Sequence, residues 1–217
     1  MTKSRDNILA RIRAANGGSD VPDATAREAM QTYIRDHKPG PRPLSDWEPV
    51  SRFRERALSL SSTLDQVDTM QLVPAAVARY LSSNNLPMRA LCWPFLMALD
   101  WQASAIDAAA AGRAQHGDMV GITGCFCAIA ETGTLVLLSG EATPATTSLV
   151  PETHVAVVSV ARIVRNMEEA WALLRKEHGA MPRSVNFISG PSRTADIEQT
   201  LVLGAHGPYR VHIILIL

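Results

Sequence analysis

Cysteine is scarce in this chain, with three in 217 residues, at positions 92, 125 and 127. An odd, sparse set makes no disulfide framework. Cys125-Phe126-Cys127 is a C-x-C without a second pair. It therefore offers no tetrahedral zinc set and no four-thiolate iron–sulfur set. On one strand the two cysteines would share a face and read as buried small hydrophobes, not redox groups. Charge of one sign is lacking too: 21 Lys and Arg stand against 21 Asp and Glu. A neutral total gives no global field for nucleic acid or an anionic membrane. Long apolar runs are absent, the longest being residues 211–217, interrupted by His212. A membrane-spanning helix needs ~20 such residues. Residues 1–6 are polar and lead into a charged helix instead of an apolar signal core, so the expectation is a soluble, cytoplasmic protein. His37, His116, His154 and His178 are scattered and His206 and His212 stand six apart, so no metal site is expected. Neither Gly-x-x-x-x-Gly-Lys nor Gly-x-Gly-x-x-Gly occurs, and no repeat of fixed period is visible.

What is present is hydrophobic patterning, at 47% apolar residues, enough for one substantial core plus an appendage. Residues 4–15 predict an amphipathic helix with Ile8, Leu9, Ile12 and Ala15 on one stripe, ended by Gly17-Gly18-Ser19. Residues 24–37 predict a second helix, stopped by the extended Pro39-Gly40-Pro41-Arg42-Pro43 linker. Residues 1–45 thus read as a helical arm too small for its own core, and residues 46–217 as the main domain. There the spacing predicts helices over 51–64, 73–81 (with Pro74 in the first turn) and 167–178. Asn166 and Glu169 form a capping-box arrangement for the last of these, and Gly179 its stop. Strands are predicted over 89–93, 119–123, 135–138, 155–160, 184–188 and 211–217, while the alanine-rich 104–111 fits a helix or a loop. Trp93 and Trp101 read as core packing. Continuously apolar strands separated by helices predict an α/β fold with a largely parallel sheet and flanking helices.

Three polar, glycine-containing segments flank these strands. In Glu131-Thr132-Gly133-Thr134 a carboxylate, two hydroxyls and a glycine sit between two apolar segments. Glu131 can serve as base, nucleophile or hydrogen-bond acceptor, and Gly133 lets a ligand approach the backbone. The same residues also make an ordinary β-turn with a solvated glutamate. Ser189-Gly190-Pro191-Ser192-Arg193-Thr194-Ala195-Asp196 follows a strand and precedes a possible helix over 195–201. Such a joint suits an anion, and Arg193 adds a forked cation for carboxylate or phosphate. Equally, Ser192 or Thr194 can cap the helix while Arg193 pairs with Asp196 or Glu198. In Gly204-Ala205-His206-Gly207-Pro208, an imidazole between glycines can act as acid, base or donor near pH 7, or be merely structural. Loops that diverge from strand ends of an open α/β sheet are where ligands bind. The expected site therefore joins Glu131, Asp196 and His206 as acid–base groups. Thr132, Gly133, Thr134, Ser189, Gly190, Ser192, Arg193, Thr194 and Gly207 would hold an anion.

These segments, with Leu149-Val150-Pro151-Glu152-Thr153-His154 before a valine-rich strand, run in an order that resembles the lactate utilization protein C family and its LUD domain. The resemblance covers nearly the whole chain. It implies a fold like that of the sugar-phosphate isomerase, coenzyme A transferase and formyl-tetrahydrofolate cyclo-ligase group. It also implies a non-redox component of a three-part system oxidising L-lactate to pyruvate. Sister subunits would carry the iron–sulfur clusters, this chain would hold no cofactor, and its ligand would be lactate or a phosphate-bearing anion. Two other functions fit the same residues: a stand-alone acyl-, folate- or nucleotide-type enzyme using Glu131, and a structural subunit docking through the N-terminal helices.

Overall fold

Two helices, α1 (Thr2–Ala15) and α2 (Ala24–Asp36), belong to the first of two units into which the chain divides, Met1–Ser45 and Asp46–Leu217. The computed structural model of the chain describes residues 2–15, 23–38, 40–42, 46–112, 114–115, 117–194 and 202–217. Asp23 caps α2 by accepting from the Ala26 amide at 2.7 Å, and His37 ends it in a left-handed conformation (φ 45°). Met30, Tyr33 and Ile34 lie at helical spacing along α2, and all three are exposed. The Gly17-Gly18-Ser19 stop lies outside the described residues.

The second unit is built on a six-stranded, wholly parallel sheet. Its strands are β1 (Thr63–Val67), β2 (Arg89–Cys92), β3 (Asp107–Ala110), β4 (Val120–Gly124), β7 (Thr153–Ser159) and β12 (Arg210–Ile216), in the order β1-β12-β7-β4-β2-β3. The central strands β7 and β12 are almost continuously buried, because helices or a second sheet cover both faces. Which helix covers which face follows from strand alternation. Thr63 pairs in register with His212 and Asp65 with Ile214, so Thr63, Asp65 and His212 share one face. Helix α4 (Val73–Ser83) lies on that face: Arg79 meets Asp65 at 2.8 Å, and Tyr80 stacks on His212 at 3.8 Å and 10°. Helix α3 (Pro49–Ser59) lies on the other, where Arg54 donates to Gln66. Pro49 opens α3, and the Glu48 carboxylate accepts from the Val50 and Ser51 amides at 2.9 and 2.7 Å.

A smaller sheet, β8-β5-β6-β9, joins β5 (Cys127–Ile129), β6 (Thr134–Leu138), β8 (Ile163–Val164) and β9 (Val185–Ile188). One of its faces, with Ala128, Leu135, Leu137 and Ile188, merges with the main core. The other, with Cys127, Ile129 and Val136, packs on α6 (Met167–Glu177) through Ala170. The short α5 (Thr146–Leu149) crosses β4 so closely that a Cβ on Gly121 would fall 1.9 Å from the Thr147 carbonyl oxygen. Finally, β10 (Arg193–Thr194) and β11 (Val202–Leu203) form an antiparallel pair.

Four local expectations give way to tertiary structure. The helix predicted over 51–64 ends at Ser59, and Thr63 and Leu64 become part of the edge strand β1, recruited by pairing with β12. The alanine run 104–111 is neither helix nor loop over Asp107–Ala110 but the opposite edge strand, paired residue by residue with β2. Alanine's weak strand preference is overridden by that ladder. Helix α6 ends with His178 extended, and Gly179 does not take the left-handed cap expected of it. Its capping box also shifts: Asn166 accepts from the Glu169 amide at 3.0 Å, but the Glu169 carboxylate returns to the Arg165 amide, at 2.8 Å.

Two histidines are buried within the main sheet. His154 shares a hydrogen bond with Thr123 Oγ1 at 2.8 Å, and burial pushes its pKa down to about 3. His212 bonds Thr63 Oγ1 at 2.8 Å, and burial lowers its pKa to about 4. Both are neutral in the folded protein, whereas an unfolded histidine takes a proton near pH ~6.5. Their contribution to stability is therefore complete above that pH and is lost as pH falls towards the folded values. The protein is expected to lose several kcal/mol between pH ~6.5 and ~4. Urea titrations across that range should show a shallower acid slope for His212→Asn than for the wild type. An identical slope would contradict the assignment.

The hairpin between β5 and β6 turns at Gly133, with φ 67° and its amide on the Ile129 carbonyl at 2.9 Å. A Cβ there would stand 2.6 Å from the Ala57 nitrogen in α3. Left-handed backbone and overpacking together make Gly133→Ala costly by roughly 2–5 kcal/mol, or a melting point lower by roughly 5–15 °C. Gly179→Ala, which meets nothing within 4 Å, should melt within about 2 °C of the wild type. Thermal denaturation of the two variants side by side checks both values.

Candidate functional site

The segment containing Glu131 and the segment that follows β9 meet because β6 and β9 pair antiparallel, with Leu135 opposite Ile188. That register sets Thr134 beside Ser189 across the strand ends. Their hydroxyl oxygens lie 2.7 Å apart, and Thr132 Oγ1 lies 2.7 Å from Thr134 Oγ1. The result is a row of three hydroxyls with the buried Thr134 in the middle. Glu131 is half-buried at the turn, its amide held by the Arg165 carbonyl at 3.0 Å. Gly190 (φ 80°) presses on α3 as Gly133 does: a Cβ there would stand 2.4 Å from the Leu60 carbonyl oxygen.

The third segment joins the second through backbone bonds. The Ser192 amide donates to the Pro208 carbonyl and the Gly204 amide to the Ser192 carbonyl, both at 2.9 Å. Gly207 fits against Ser192, whose Cβ would lie 3.2 Å from an added methyl. Arg193 reaches back to the end of α3, donating to the Leu60 carbonyl at 3.2 Å and to Ser61 Oγ. A cation suits the negative end of a helix. Among the described residues no carboxylate pairs with Arg193. His206 is exposed. Thr194 enters β10 through its backbone; Asp196 and the helix expected over 195–201 lie outside the described residues. The structure thus links Thr132, Thr134 and Ser189 through side chains, and Ser192, Gly204 and Pro208 through backbone.

This cluster sits at the amino edge of the parallel sheet, since β1 starts just after Ser62 and β12 just after Tyr209. The carboxyl edge carries something that the sequence reading passed over. Where β2 and β4 end there is a cleft of about 530 Å³, lined by Trp93, Phe95, Gly124, Cys125, Phe126 and Thr143, with Leu138 to Gly140, His178, Ala180 and Pro182 along its rim. Trp93 is fixed by its amide on the Ile122 carbonyl at 3.0 Å and its indole N–H on the Pro144 carbonyl at 3.2 Å. A Cβ on Gly124 would stand 2.6 Å from the Phe95 ring, so only glycine lets that ring lie on the strand end. Arg162 sits 4.8 Å over the Phe126 ring and donates to the Phe126 carbonyl at 2.7 Å. The Glu177 carboxylate locks the same guanidinium bidentately at 2.7 and 2.9 Å. Trp101 packs in the core as the sequence suggests, its indole N–H on the Leu96 carbonyl at 2.8 Å. Trp93 does so too, yet also lines the cleft. The available signal was compositional: the chain has only four Trp and four Phe, and three of them fall in Trp93-Pro94-Phe95 and Cys125-Phe126-Cys127.

The thiols are unsuited to nucleophilic or ligand roles. Burial pushes Cys127 up to about 11 and Cys92 up to about 12, and Cys125 is likewise raised by burial. Cys125 Sγ lies 2.8 Å from the Cys127 carbonyl oxygen, the contact of a protonated donor. Among the described residues no three His, Cys, Asp or Glu side chains cluster as a metal site would require, and no helix is long and apolar enough to cross a membrane.

The LUD domain model matches residues 67–216, from the end of β1 to the end of β12. The chain is similar to lactate utilization protein C of Exiguobacterium sp., 35% identical over 161 residues, which covers 72% of this chain and 69% of that protein. It is 42% identical over 100 residues to lactate utilization protein C of Geobacillus sp., and 40% identical over 100 residues to that of Bacillus subtilis. Each of these two matches covers 45% of this chain and 42% of the relative, so the chain spans less than half the length of these two relatives. Among solved structures it resembles a DUF162 family protein from Deinococcus radiodurans with a TM-score of 0.59 at 26% identity, over 80% of this chain and 99% of that one. The α/β unit is thus matched by family model, sequence and architecture alike, and the chain belongs to the LUD domain family.

Proposed function

We propose that this chain is a non-redox component of an iron–sulfur-dependent system oxidising L-lactate to pyruvate. In this reading it binds a small anion, lactate or a phosphate-bearing molecule, where the Glu131 turn meets the Ser189–Arg193 segment. The relatives named lactate utilization protein C support the biology. The observation that carries the site is the hydroxyl row Thr132–Thr134–Ser189, with its 2.7 Å spacings. A hydroxyl both donates and accepts, so a row of three can turn a donor towards an anion at either end, each bond polarising the next. Arg193 uses Nη2 on Leu60 and Ser61, which leaves Nη1 to donate a charge-assisted hydrogen bond to a carboxylate or phosphate. Glu131, Asp196 and His206 are the acid–base groups of this reading. Oxidising lactate to pyruvate releases two electrons and two protons. The electrons pass to clusters of the sister subunits, and this chain's share is binding and proton handling.

The test is lactate-dependent dye reduction by the reconstituted sister subunits, with and without this chain. Omitting the chain should abolish turnover, and full activity without it would refute the proposal. Arg193→Gln and Thr134→Val, each checked for an unchanged melting point, should raise the KM for lactate about tenfold, the scale of one charge-assisted hydrogen bond. If both variants match the wild type while omission still abolishes turnover, the chain acts as an assembly subunit and not as the anion binder.

A further inference from the structure

We propose that the cleft at the carboxyl edge of the main sheet binds an uncharged, planar aromatic ring system. It is a second site, distinct from the polar loops at the amino edge. The two are separated along β6, which begins at Thr134 beside Ser189 and ends at Leu138 on the cleft rim. Four residue steps of strand place them roughly 13 Å apart.

The position is that of a ligand site. In open parallel α/β sheets ligands settle outside the carboxyl ends of the strands. A volume of about 530 Å³ falls within the range of small-molecule pockets. The chemistry of the walls then selects the class. Among the described residues, none that lines the cleft is Lys, Arg, Asp or Glu. A bare carboxylate or phosphate would lose its hydration there without a counter-charge, so lactate itself is a poor occupant. What the walls do offer is aromatic surface. Phe95 is the open ring, and the buried Trp93, 6.4 Å away at 57°, and the half-buried Phe126 form the wall behind it. These rings are positioned in advance. The Pro144 carbonyl holds the Trp93 indole, Arg162 covers the Phe126 ring, and His178 meets that ring edge-on at 5.5 Å. Phe95, by contrast, is 53% exposed, an apolar ring laid over a glycine at the cleft. A planar π-system stacks on such faces with little dependence on its substituents.

The rim supplies polar contacts for a heterocycle's edge. Gly140 and Thr143 bond each other through their backbones at 3.2 Å in both directions, which leaves the Thr143 hydroxyl for a ligand. A Cβ on Gly140 would stand 2.9 Å from that oxygen and would obstruct it. Ser139 Oγ accepts from the Ser184 amide at 2.8 Å and retains its own proton to donate.

The experiment is calorimetry on the full chain with four probes. Lumichrome and menadione are uncharged planar rings, 1-decanol is apolar without a ring, and sodium L-lactate is a charged non-ring control. Lumichrome should bind saturably at one site per chain, with menadione competing for it. Phe95→Ala, a substitution at an exposed position, should weaken lumichrome about tenfold, and Gly140→Val should weaken it several-fold. Arg193→Gln should leave lumichrome binding unchanged, because that residue lies at the other edge. The proposal is overturned if neither ring compound saturates, if Phe95→Ala binds lumichrome like the wild type, or if decanol binds as tightly as the rings. Failure on any of these counts leaves the lactate assay of the amino edge unaffected, so the two readings stand or fall separately.

Discussion

The amino edge of the sheet depends on one contact, the approach of two glycine turns to the C-terminal half of α3. Gly133 and Gly190 come from segments more than fifty residues apart, yet both place backbone against backbone where a methyl group would collide at 2.6 and 2.4 Å. Arg193 and the left-handed Ser61 complete the joint at the helix end. Interiors are packed closely enough that one methylene is felt. Both glycines are thus part of the bearing on which the small sheet rests. The β6–β9 register sets Thr134 beside Ser189, and these two turns carry the hydroxyl row up against the end of α3.

The sequence made the frame legible wherever local pattern and tertiary need agree. Strand β12 is a run of Val, Ile and Leu broken by one histidine, β7 is rich in valine, β4 sets Val and Ile among small residues, and helices α4 and α6 carry regular apolar spacing. It was least legible at the two sheet edges. Thr63–Val67 contains Asp65 and Gln66, and Asp107–Ala110 is mostly alanine. Neither segment looks like a strand alone; each is one because a neighbour supplies a ladder. The polar segments were visible as composition, whereas their meeting was not. That meeting depends on the antiparallel register of β6 and β9, a long-range fact with no local trace. The cleft was hidden for a related reason, as Trp93-Pro94-Phe95 is an ordinary apolar tripeptide until Gly124, from another strand, slides beneath it.

The two edges of the sheet have opposite characters. At the amino edge hydroxyls, glycines and a guanidinium are joined by short hydrogen bonds, so polarity is concentrated and largely internally satisfied. At the carboxyl edge aromatic rings surround open volume, and the nearby charges, Arg162 and Glu177, neutralise each other behind Phe126. A parallel sheet permits this division because every strand runs the same way, so the loops entering it and the loops leaving it form separate surfaces.

The pairing of β1 with β12 has a consequence for how the protein is made. Within the main sheet β1 has one neighbour, and the Thr63–His212 bond closes a separation of 149 residues. On the ribosome, the β1 segment emerges long before its partner and waits with its N–H and C=O groups bonded to water and not to a strand. Synthesis at about 5–20 residues per second makes that interval roughly 7–30 seconds. During it, residues 63–67 have no ladder to join and stay extended, solvated chain, open to pairing with another nascent segment. The polar residues Asp65 and Gln66, which hide the strand character of β1 in the sequence, suit that segment to its wait in water.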